Sequence, residues 1–278
     1  MRERARLSAT CVAVILSTVL SLLLACDAAT APDVPSTAVP LAAPARFALW
    51  WRLTQACSGT TGNLAAVSWY VVPNTAILSH QGRQVVAYWI GNPDRIVLAD
   101  ASRDNGSIVR HEMLHALLHR NGHPRDAFLT ACGGIVACDG DCATETGGYP
   151  LPSASAPVLT PRELGTRVEV MPSVPADSFA VAATVTITNP RTETVWVRLT
   201  QRESGDYNYQ TFGIVVDYDD PARVAALAAE STTDDRVTLG AGESRRWVWD
   251  GILGQGRFGF RGFFNVDSTA RQVVQVAP

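Results

Sequence analysis

Residues 107–124 read SIVRHEMLHALLHRNGHP, and the interpretation of the first half of the chain starts from them. Ser107 is a suitable N-cap for a helix over 108–120, because its hydroxyl can accept a hydrogen bond from a backbone N–H group of the first turn. Gly122 allows the left-handed conformation that ends many helices, and Pro124 cannot continue one. We therefore expect one helix of about three turns with a sharp stop.

Two histidines on this helix enclose a glutamate, in the sequence HEMLH at 111–115. Side chains four residues apart lie on one face of a helix, so His111 and His115 can converge on one metal ion. Two imidazoles at this spacing suit Zn²⁺, and a glutamate beside them can act as a general base. The motif predicts a zinc cofactor.

The HExxH pattern resembles the active-site helix of the zincin metallopeptidases. The resemblance covers about 84–124 and implies that Glu112 is the catalytic residue, which assists the attack of a zinc-bound water on a peptide carbonyl. It also implies a peptide or protein substrate held against an edge strand, for which 95–99 is the candidate.

A catalytic zinc site usually has three protein ligands, so one more is expected. In metzincins the pattern is HExxHxxGxxH, but Leu118 stands at the position of its glycine and Asn121 at that of its last histidine. His123 is the preferred third ligand, because a reversal at Gly122 can return it to the metal. The carboxylate alternatives are Glu145, Asp126 and Asp141.

His119 continues the face of His111 and His115. Three ligands at i, i+4 and i+8 spread too far around a helix for easy tetrahedral convergence. His119 is therefore predicted to support the site from outside the ligand set.

The N-terminus has the pattern of an export signal, with three arginines followed by an uncharged apolar run. The run ends in LLAC at 23–26, which resembles the lipobox of bacterial lipoproteins. The resemblance implies a signal peptide over 1–25, a lipid on Cys26, and anchoring to a membrane of the bacterial cell envelope, facing the periplasm or the exterior. Residues 26–45, rich in Ala, Pro, Ser and Thr, are predicted to form a flexible tether.

Four cysteines remain after the signal and the lipidation site: Cys57, Cys132, Cys138 and Cys142. An even number in an exported protein predicts two disulfides, for which three pairings are possible. A zinc cluster made of the last three is the less favoured alternative, since their spacing lacks a CxxC pair.

A length of 278 residues predicts about two domains, and a net charge of −3 argues against a nucleic-acid partner. The first domain, over 46–150, is predicted to be α+β and zincin-like, stapled by the disulfides. Its predicted elements are a helix over 46–56, strands over 66–72, 84–90 and 95–99, of which the last two form a hairpin, and the helix that bears the histidines.

A proline-rich linker is predicted over 151–165, followed by an all-β domain over 166–278. Eight strand-like runs separated by turns favour a β-sandwich there, and their patterning resembles bacterial immunoglobulin-like domains. Only 222–229 looks helical in this half.

Together these patterns predict a membrane-anchored zinc metalloendopeptidase. A second class of function stays open, namely a non-enzymatic surface-binding lipoprotein whose metal is structural and whose sandwich binds a partner. The sequence indicates no oligomeric state.

Overall fold

The computed structural model describes residues 34–151, 153–159, 163–172, 180–198, 213–218, 224–227, 236–252, 256–264, 267–268 and 272–276. The predicted signal peptide and the lipidation residue Cys26 lie outside these ranges. All elements named below belong to the compact unit Thr37–Pro278. They include both helices and strands, so the chain is an α+β protein.

The helices are α1 (Ala45–Ser58), α2 (Gly106–Leu118) and α3 (Asp141–Thr146), with 3₁₀ turns at Leu64–Ala66 and Asp100–Ser102 and a π-helical segment at Asp126–Ala131. The strands of the first half are β1 (Val39–Pro40), β2 (Ser68–Val72), β3 (Leu78–His80), β4 (Arg83–Val85), β5 (Ala87–Ile90) and β6 (Arg95–Ala99). The strands of the second half are β7 (Val158–Leu159), β8 (Gly165–Pro172), β9 (Ala180–Thr188), β10 (Val195–Arg198), β11 (Gly213–Tyr218), β12 (Val224–Leu227), β13 (Arg236–Leu239), β14 (Ser244–Ile252), β15 (Gly256–Phe264), β16 (Asp267–Ser268) and β17 (Gln272–Val276). Among the described residues, no helix is both long and apolar enough to span a membrane.

The main sheet of the first half has the strand order β1-β2-β6-β5. The β5–β6 hairpin is antiparallel, with Trp89 opposite Ile96, as predicted. The assignment of 95–99 to an edge strand was wrong, because β2 pairs in parallel with β6 on its other side. The edge strand next to α2 is therefore β5.

Two predicted strands are shorter than expected. The run 84–90 divides into β4, which pairs with β3, and β5, which pairs with β6. The break falls at Val86, whose carbonyl accepts a hydrogen bond from the N–H group of Ala99. The run 66–72 begins later, at Ser68, because a 3₁₀ turn takes up its first residue.

Helix α2 begins and ends earlier than predicted. Its N-cap is Asn105 rather than Ser107, since the Asn105 side chain accepts hydrogen bonds from the N–H groups of Ser107 and Ile108. Its last residue is Leu118, because His119 adopts the left-handed conformation with φ 46° and forms the C-cap.

The core lies between the sheet and the two long helices. Phe47 of α1 contacts Trp50 and Trp69, with ring centroids 5.2 and 4.6 Å apart. Met113 and Leu114 of α2 are completely buried. Burying one such side chain stabilises a fold by about 1.5–3 kcal/mol, so this contact layer holds α2 firmly on the sheet.

Parts of the predicted tether and linker are ordered in strands. Val39–Pro40 pair with β2, and the N–H group of Leu41 donates to Trp69 at 2.9 Å. Val158–Leu159 pair in parallel with β10, and Leu159 is buried. Each stretch contains single apolar residues that a neighbouring strand can pair with and cover. The overall composition of the stretch does not indicate this pairing.

All eight strands predicted for the second half are present, as β8, β9, β10, β11, β13, β14, β15 and β17. The described strands form sheets β13-β10-β7, β14-β9-β8 and β12-β11-β15-β16, with β17 also on β15. The helical prediction for 222–229 was wrong for its described part, because Val224–Leu227 pair with β11 as strand β12. Pairing with a neighbour overrides the helical preference of its alanines.

The two halves share buried contacts. Asp250 of β14 accepts a hydrogen bond from the Trp50 indole at 2.8 Å and lies 3.5 Å from the Arg110 guanidinium. Ala182 of β9 is buried in the same apolar cluster as α1 and α2. The predicted division into two domains stays a prediction.

Candidate metal centre

Three imidazoles meet where α2 ends. The Nε2 atom of His111 lies 3.1 Å from Nε2 of His115 and 3.2 Å from Nε2 of His123. His111 and His115 project from one face of α2, as their spacing predicts. His123 returns to them because the chain turns at His119 and again at Gly122, both with positive φ.

The protonation of the two helical histidines follows from their partners. Nδ1 of His111 lies 2.6 Å from the carbonyl oxygen of Ala137, and Nδ1 of His115 lies 2.8 Å from that of Arg120. A carbonyl oxygen only accepts, so each Nδ1 carries the hydrogen. Burial, assisted by the neighbouring His115, lowers the pKa of His111 to about 3. Burial likewise lowers the pKa of His115 to about 4, so both rings are neutral and both Nε2 atoms bear lone pairs.

His123 is fixed by Glu145. The Glu145 Oε2 atom accepts hydrogen bonds from the backbone N–H group and from Nδ1 of His123, both at 2.8 Å. These bonds hold the pKa of Glu145 below its usual value. A Cβ atom on Gly122 would lie 3.5 Å from the same carboxylate oxygen, and φ there is +80°, so glycine suits the turn. The Nε2 atom of His123 is thereby directed at those of the other two histidines.

The Nε2 atoms of His111 and His115 carry no hydrogen, so their lone pairs repel unless a cation lies between them. Nitrogen ligands about 2.0–2.1 Å from a tetrahedral zinc ion are about 3.3 Å apart, close to the spacing of these Nε2 atoms. The residues therefore fit a metal ion, and His111, His115 and His123 can hold one. Among the described residues, these three form the group of His, Cys, Asp or Glu side chains whose ligand atoms lie close enough together to share one metal ion.

An aromatic floor supports the three rings. The Phe128 ring centroid lies 5.0, 4.9 and 4.9 Å from those of His111, His115 and His123. Phe128 is completely buried in the π-helical segment Asp126–Ala131. An apolar floor of this kind excludes water from one side of the centre and strengthens electrostatic interactions there.

Glu112 lies beside this centre in a buried position. The backbone N–H group of Trp89 on β5 donates to its carboxylate, but burial dominates and raises its pKa to about 8. Its Oε2 atom is buried without a hydrogen-bond partner among the described residues. An unpartnered carboxylate oxygen is costly, and it is available to a water or substrate proton.

His119 does not join the centre. Its side chain is 71% exposed, and its Nδ1 atom lies 3.4 Å from Asp94. The early end of α2 turns this residue away from the face that His111 and His115 share. Asp94 also accepts a hydrogen bond from the Trp89 indole at 2.9 Å, and that indole stacks near the His115 ring.

The carboxylate alternatives have other places. Asp126 is exposed in the first turn of the π-helical segment, and Asp141 forms a 2.7 Å ion pair with Arg83. Glu145 supports His123, a role that its sequence context did not predict because TETGG at 144–148 is unfavourable for a helix. It lies on α3, and the preceding Asp141, favourable in a first helical turn, was the available indication.

The four predicted disulfide cysteines form two pairs. Cys57–Cys132 joins the end of α1 to the end of the π-helical segment that bears Phe128. Cys138–Cys142 closes a loop of three residues directly before Glu145. No zinc cluster forms from these cysteines, since all four sulfurs are bonded to one another in pairs.

Comparison with known proteins adds little. No protein-family model matches the chain, and no curated protein matches it. Part of it is similar to the alkylpurine DNA glycosylase AlkC of Pseudomonas fluorescens bound to DNA, with 11% identity over 40% of this chain and a TM-score of 0.26. The similarity spans 30% of the length of that glycosylase. A protein assigned as ApaA from Bordetella pertussis is 17% identical over 41% of this chain and 95% of its own, with a TM-score of 0.28.

Proposed function

We propose that this chain is a zinc-dependent metallopeptidase of the zincin type, exported and anchored to a membrane of the bacterial cell envelope through Cys26. The observation that carries the proposal is the convergence of three imidazole Nε2 atoms beside a buried glutamate, with two of the histidines and the glutamate on one helix. The predicted motif and the tertiary arrangement agree at this point.

The donor set favours zinc and a catalytic role. Three imidazoles without a thiolate or carboxylate ligand suit Zn²⁺ among the available metals. Structural zinc sites usually take four protein ligands, whereas three leave a position for a reacting group. Glu145 orients the His123 ring as carboxylates commonly do for metal-bound histidines.

Glu112 is the residue that would move protons. When bound, zinc polarises a substrate carbonyl and lowers the pKa of a water molecule. Glu112 Oε2 would accept a proton from the attacking water and deliver it to the leaving amine. The Trp89 N–H group donates to the carboxylate and would hold it in place during both transfers.

The substrate in this proposal is an extended peptide. Strand β5 is the edge of the sheet next to α2, and its Trp89 contacts both Glu112 and His115. A peptide that pairs with a sheet edge presents its carbonyl groups at regular intervals, which is the geometry that hydrolysis at a fixed centre needs.

The described strands of the second half support an immunoglobulin-like sandwich as the accessory part of the proposal.

Lipidation is tested separately, by radiolabelled palmitate incorporation in bacteria that express the full chain or its Cys26→Ser variant. Label on the parent and none on the variant is expected. Equal labelling would contradict the anchor.

The decisive experiment compares Glu112→Gln with the parent. Zinc content by mass spectrometry should stay at one ion per chain, while cleavage of an unstructured protein such as casein should fall at least 10²-fold, on the order expected for loss of a general base. Glu169→Gln, at an exposed side chain of strand β8, is the matched control and should retain full activity.

Two outcomes would contradict the proposal. A parent chain that takes up no zinc when zinc is supplied has no metal centre of this kind. A parent with one zinc but no cleavage, indistinguishable from Glu112→Gln, would favour the surface-binding lipoprotein with a structural metal.

A further inference from the structure

One short segment, residues 137–145, supports two of the three histidines. Its first residue, Ala137, provides the carbonyl that accepts the Nδ1 hydrogen of His111. Its last residue, Glu145, provides the carboxylate that accepts the Nδ1 hydrogen of His123. The disulfide Cys138–Cys142 closes the chain between them.

We propose that the oxidation state of the Cys138–Cys142 disulfide sets the metal affinity of the three-histidine centre. The proposal rests on the proposed metal centre and adds its regulation. In the oxidised protein the segment holds the acceptors of the Nδ1 hydrogens of His111 and His123, so that both Nε2 atoms point at the metal. Reduction frees these acceptors, and the affinity for the metal falls.

The position of the Ala137 carbonyl depends on the loop. Ala137 directly precedes Cys138, and its own N–H group donates to the Ser107 carbonyl at 3.0 Å. Its carbonyl oxygen lies 2.6 Å from Nδ1 of His111. A covalent bond at the next residue limits the rotation of this peptide group.

Helix α3 depends on the disulfide more strongly. It has six residues, too few for an isolated helix to be stable in water. The Arg83–Asp141 ion pair joins it to the β3–β4 hairpin, but both side chains are more than 60% exposed, and exposed pairs contribute little. Arg125 donates to the Thr146 carbonyl at its C-terminal end. The disulfide is thus the covalent attachment at the helical turn before Glu145.

The second disulfide has a different place and provides an internal comparison. Cys57–Cys132 joins residues 75 apart in sequence, at the end of the segment that bears Phe128. The loop that it closes contains Arg120, the acceptor of the His115 Nδ1 hydrogen, but neither Ala137 nor Glu145. An effect on the metal through the positions of Ala137 and Glu145 is therefore specific to Cys138–Cys142.

Reduction of the shorter disulfide is chemically balanced with a dithiol reductant. A thiolate of the dithiol attacks one sulfur, the Cys138–Cys142 bond breaks, and a second thiolate resolves the mixed disulfide. Both cysteines end as thiols and the dithiol ends as an internal disulfide. Cys138 is half-buried while Cys142 is almost fully buried, so we expect the first attack at Cys138.

The test measures zinc affinity of the full, oxidised chain by competition with a chromogenic chelator. The double variant Cys138→Ser/Cys142→Ser should bind zinc 10- to 100-fold more weakly, the range seen when outer-shell partners of metal ligands are lost. A dithiol should weaken binding by the parent to a similar extent, and reoxidation should restore it. The same dithiol should leave the double variant nearly unchanged, although its Cys57–Cys132 bond is also reduced.

A third variant distinguishes an effect of the Cys138–Cys142 disulfide on the acceptor of His123 from a general effect on the structure. In Glu145→Ala the acceptor is already lost, so the further effect of Cys138→Ser/Cys142→Ser should be clearly smaller than in the parent, because the two changes act on one contact. Far-UV circular dichroism of each metal-free protein checks that it is folded. Should the double variant prove unfolded, the reversible dithiol effect on the parent still provides the measurement.

The inference is overturned if the folded double variant binds zinc as tightly as the parent. It is also overturned if dithiol weakens the double variant as much as the parent, since the effect then belongs to Cys57–Cys132. A parent that binds no zinc at all would instead contradict the proposed function, so the two failures are distinguishable.

Discussion

The region over 37–149 and the region over 158–276 handle charge in different ways. In the first, three histidines and Glu112 are gathered at one largely buried centre and held by contacts from nearby residues, as His123 is by Glu145. In the second, the described strands contribute no cluster of metal ligands, but β14 supplies Asp250 to the guanidinium of buried Arg110. Arg110 directly precedes His111, so the helix of the centre relies on a charge from the other region.

A second contact shows the same dependence of the centre on the second region. Arg246 of β14 donates to the carbonyl oxygens of Thr130 and Ala131, at the end of the segment that bears Phe128. A Cβ atom on Gly134 would lie 1.6 Å from the Arg246 carbonyl oxygen, so glycine is needed where these two segments meet. The all-β region therefore acts as a support for the centre, and disturbing either side measures that dependence.

The largest effect is expected within the first region. His111→Ala removes the one imidazole that lies within 3.2 Å of both others, so bound zinc should fall from one ion per chain to none. Mass spectrometry of the intact protein provides the measurement. His119→Ala is the matched control, since its exposed ring lies outside the centre, and it should retain its zinc. Equal loss in both variants would contradict the assignment of the ligands.

The next effect concerns pH and the metal-free protein. Burial raises the pKa of Glu112 from 4.5 to about 8, so between these values the folded state binds more protons than the unfolded state. Stability from this group is present at low pH and is lost as pH rises towards 8. Glu112→Gln should therefore gain stability over the parent by on the order of 3 kcal/mol more at pH 8 than at pH 5. Urea unfolding at both values checks this, and a constant difference would contradict it.

The dependence of the centre on the second region predicts a smaller effect. Asp250→Asn removes the charge near Arg110 and weakens the bond from the Trp50 indole. Because Asp250 is partly exposed, we expect a loss of about 1–2 kcal/mol in the free energy of unfolding rather than the larger cost of breaking a fully buried pair. Glu169→Gln in the same sheet, whose pair with Arg167 is exposed, should cost less than about 0.5 kcal/mol. A similar loss in the free energy of unfolding in both variants would contradict the role of Asp250 as a partner of Arg110 and Trp50.

The smallest expected effect tests the local support of the third ligand. Glu145→Gln keeps an oxygen that can accept the Nδ1 hydrogen of His123 but removes the negative charge. Zinc affinity should fall about 10-fold, at the lower end of the range for outer-shell changes. Asp126→Asn, an exposed carboxylate outside the centre, should leave the affinity unchanged. A greater loss in Asp126→Asn would point to it as the ligand instead.

Periodic patterns explain why much of the fold was predictable. Helix α1 and the β5–β6 hairpin follow local apolar periods and turn residues. Errors arose where a distant strand competes with a local preference. The alanines of Val224–Leu227 favour a helix, yet β11 pairs with them. Strand β2 likewise places β6 in the interior of the sheet.

The amino-acid sequence sufficed for the chemistry that depends on helical spacing. His111, Glu112 and His115 share one turn of α2, and the period of a helix puts His111 and His115 together whatever surrounds them. Tertiary contacts were needed for everything set by chain reversal and long-range pairing: the return of His123, the Glu145 carboxylate behind it, the Phe128 floor and the partner of Arg110. Local order follows from fixed backbone geometry, whereas these contacts join residues whose separation in sequence carries no period.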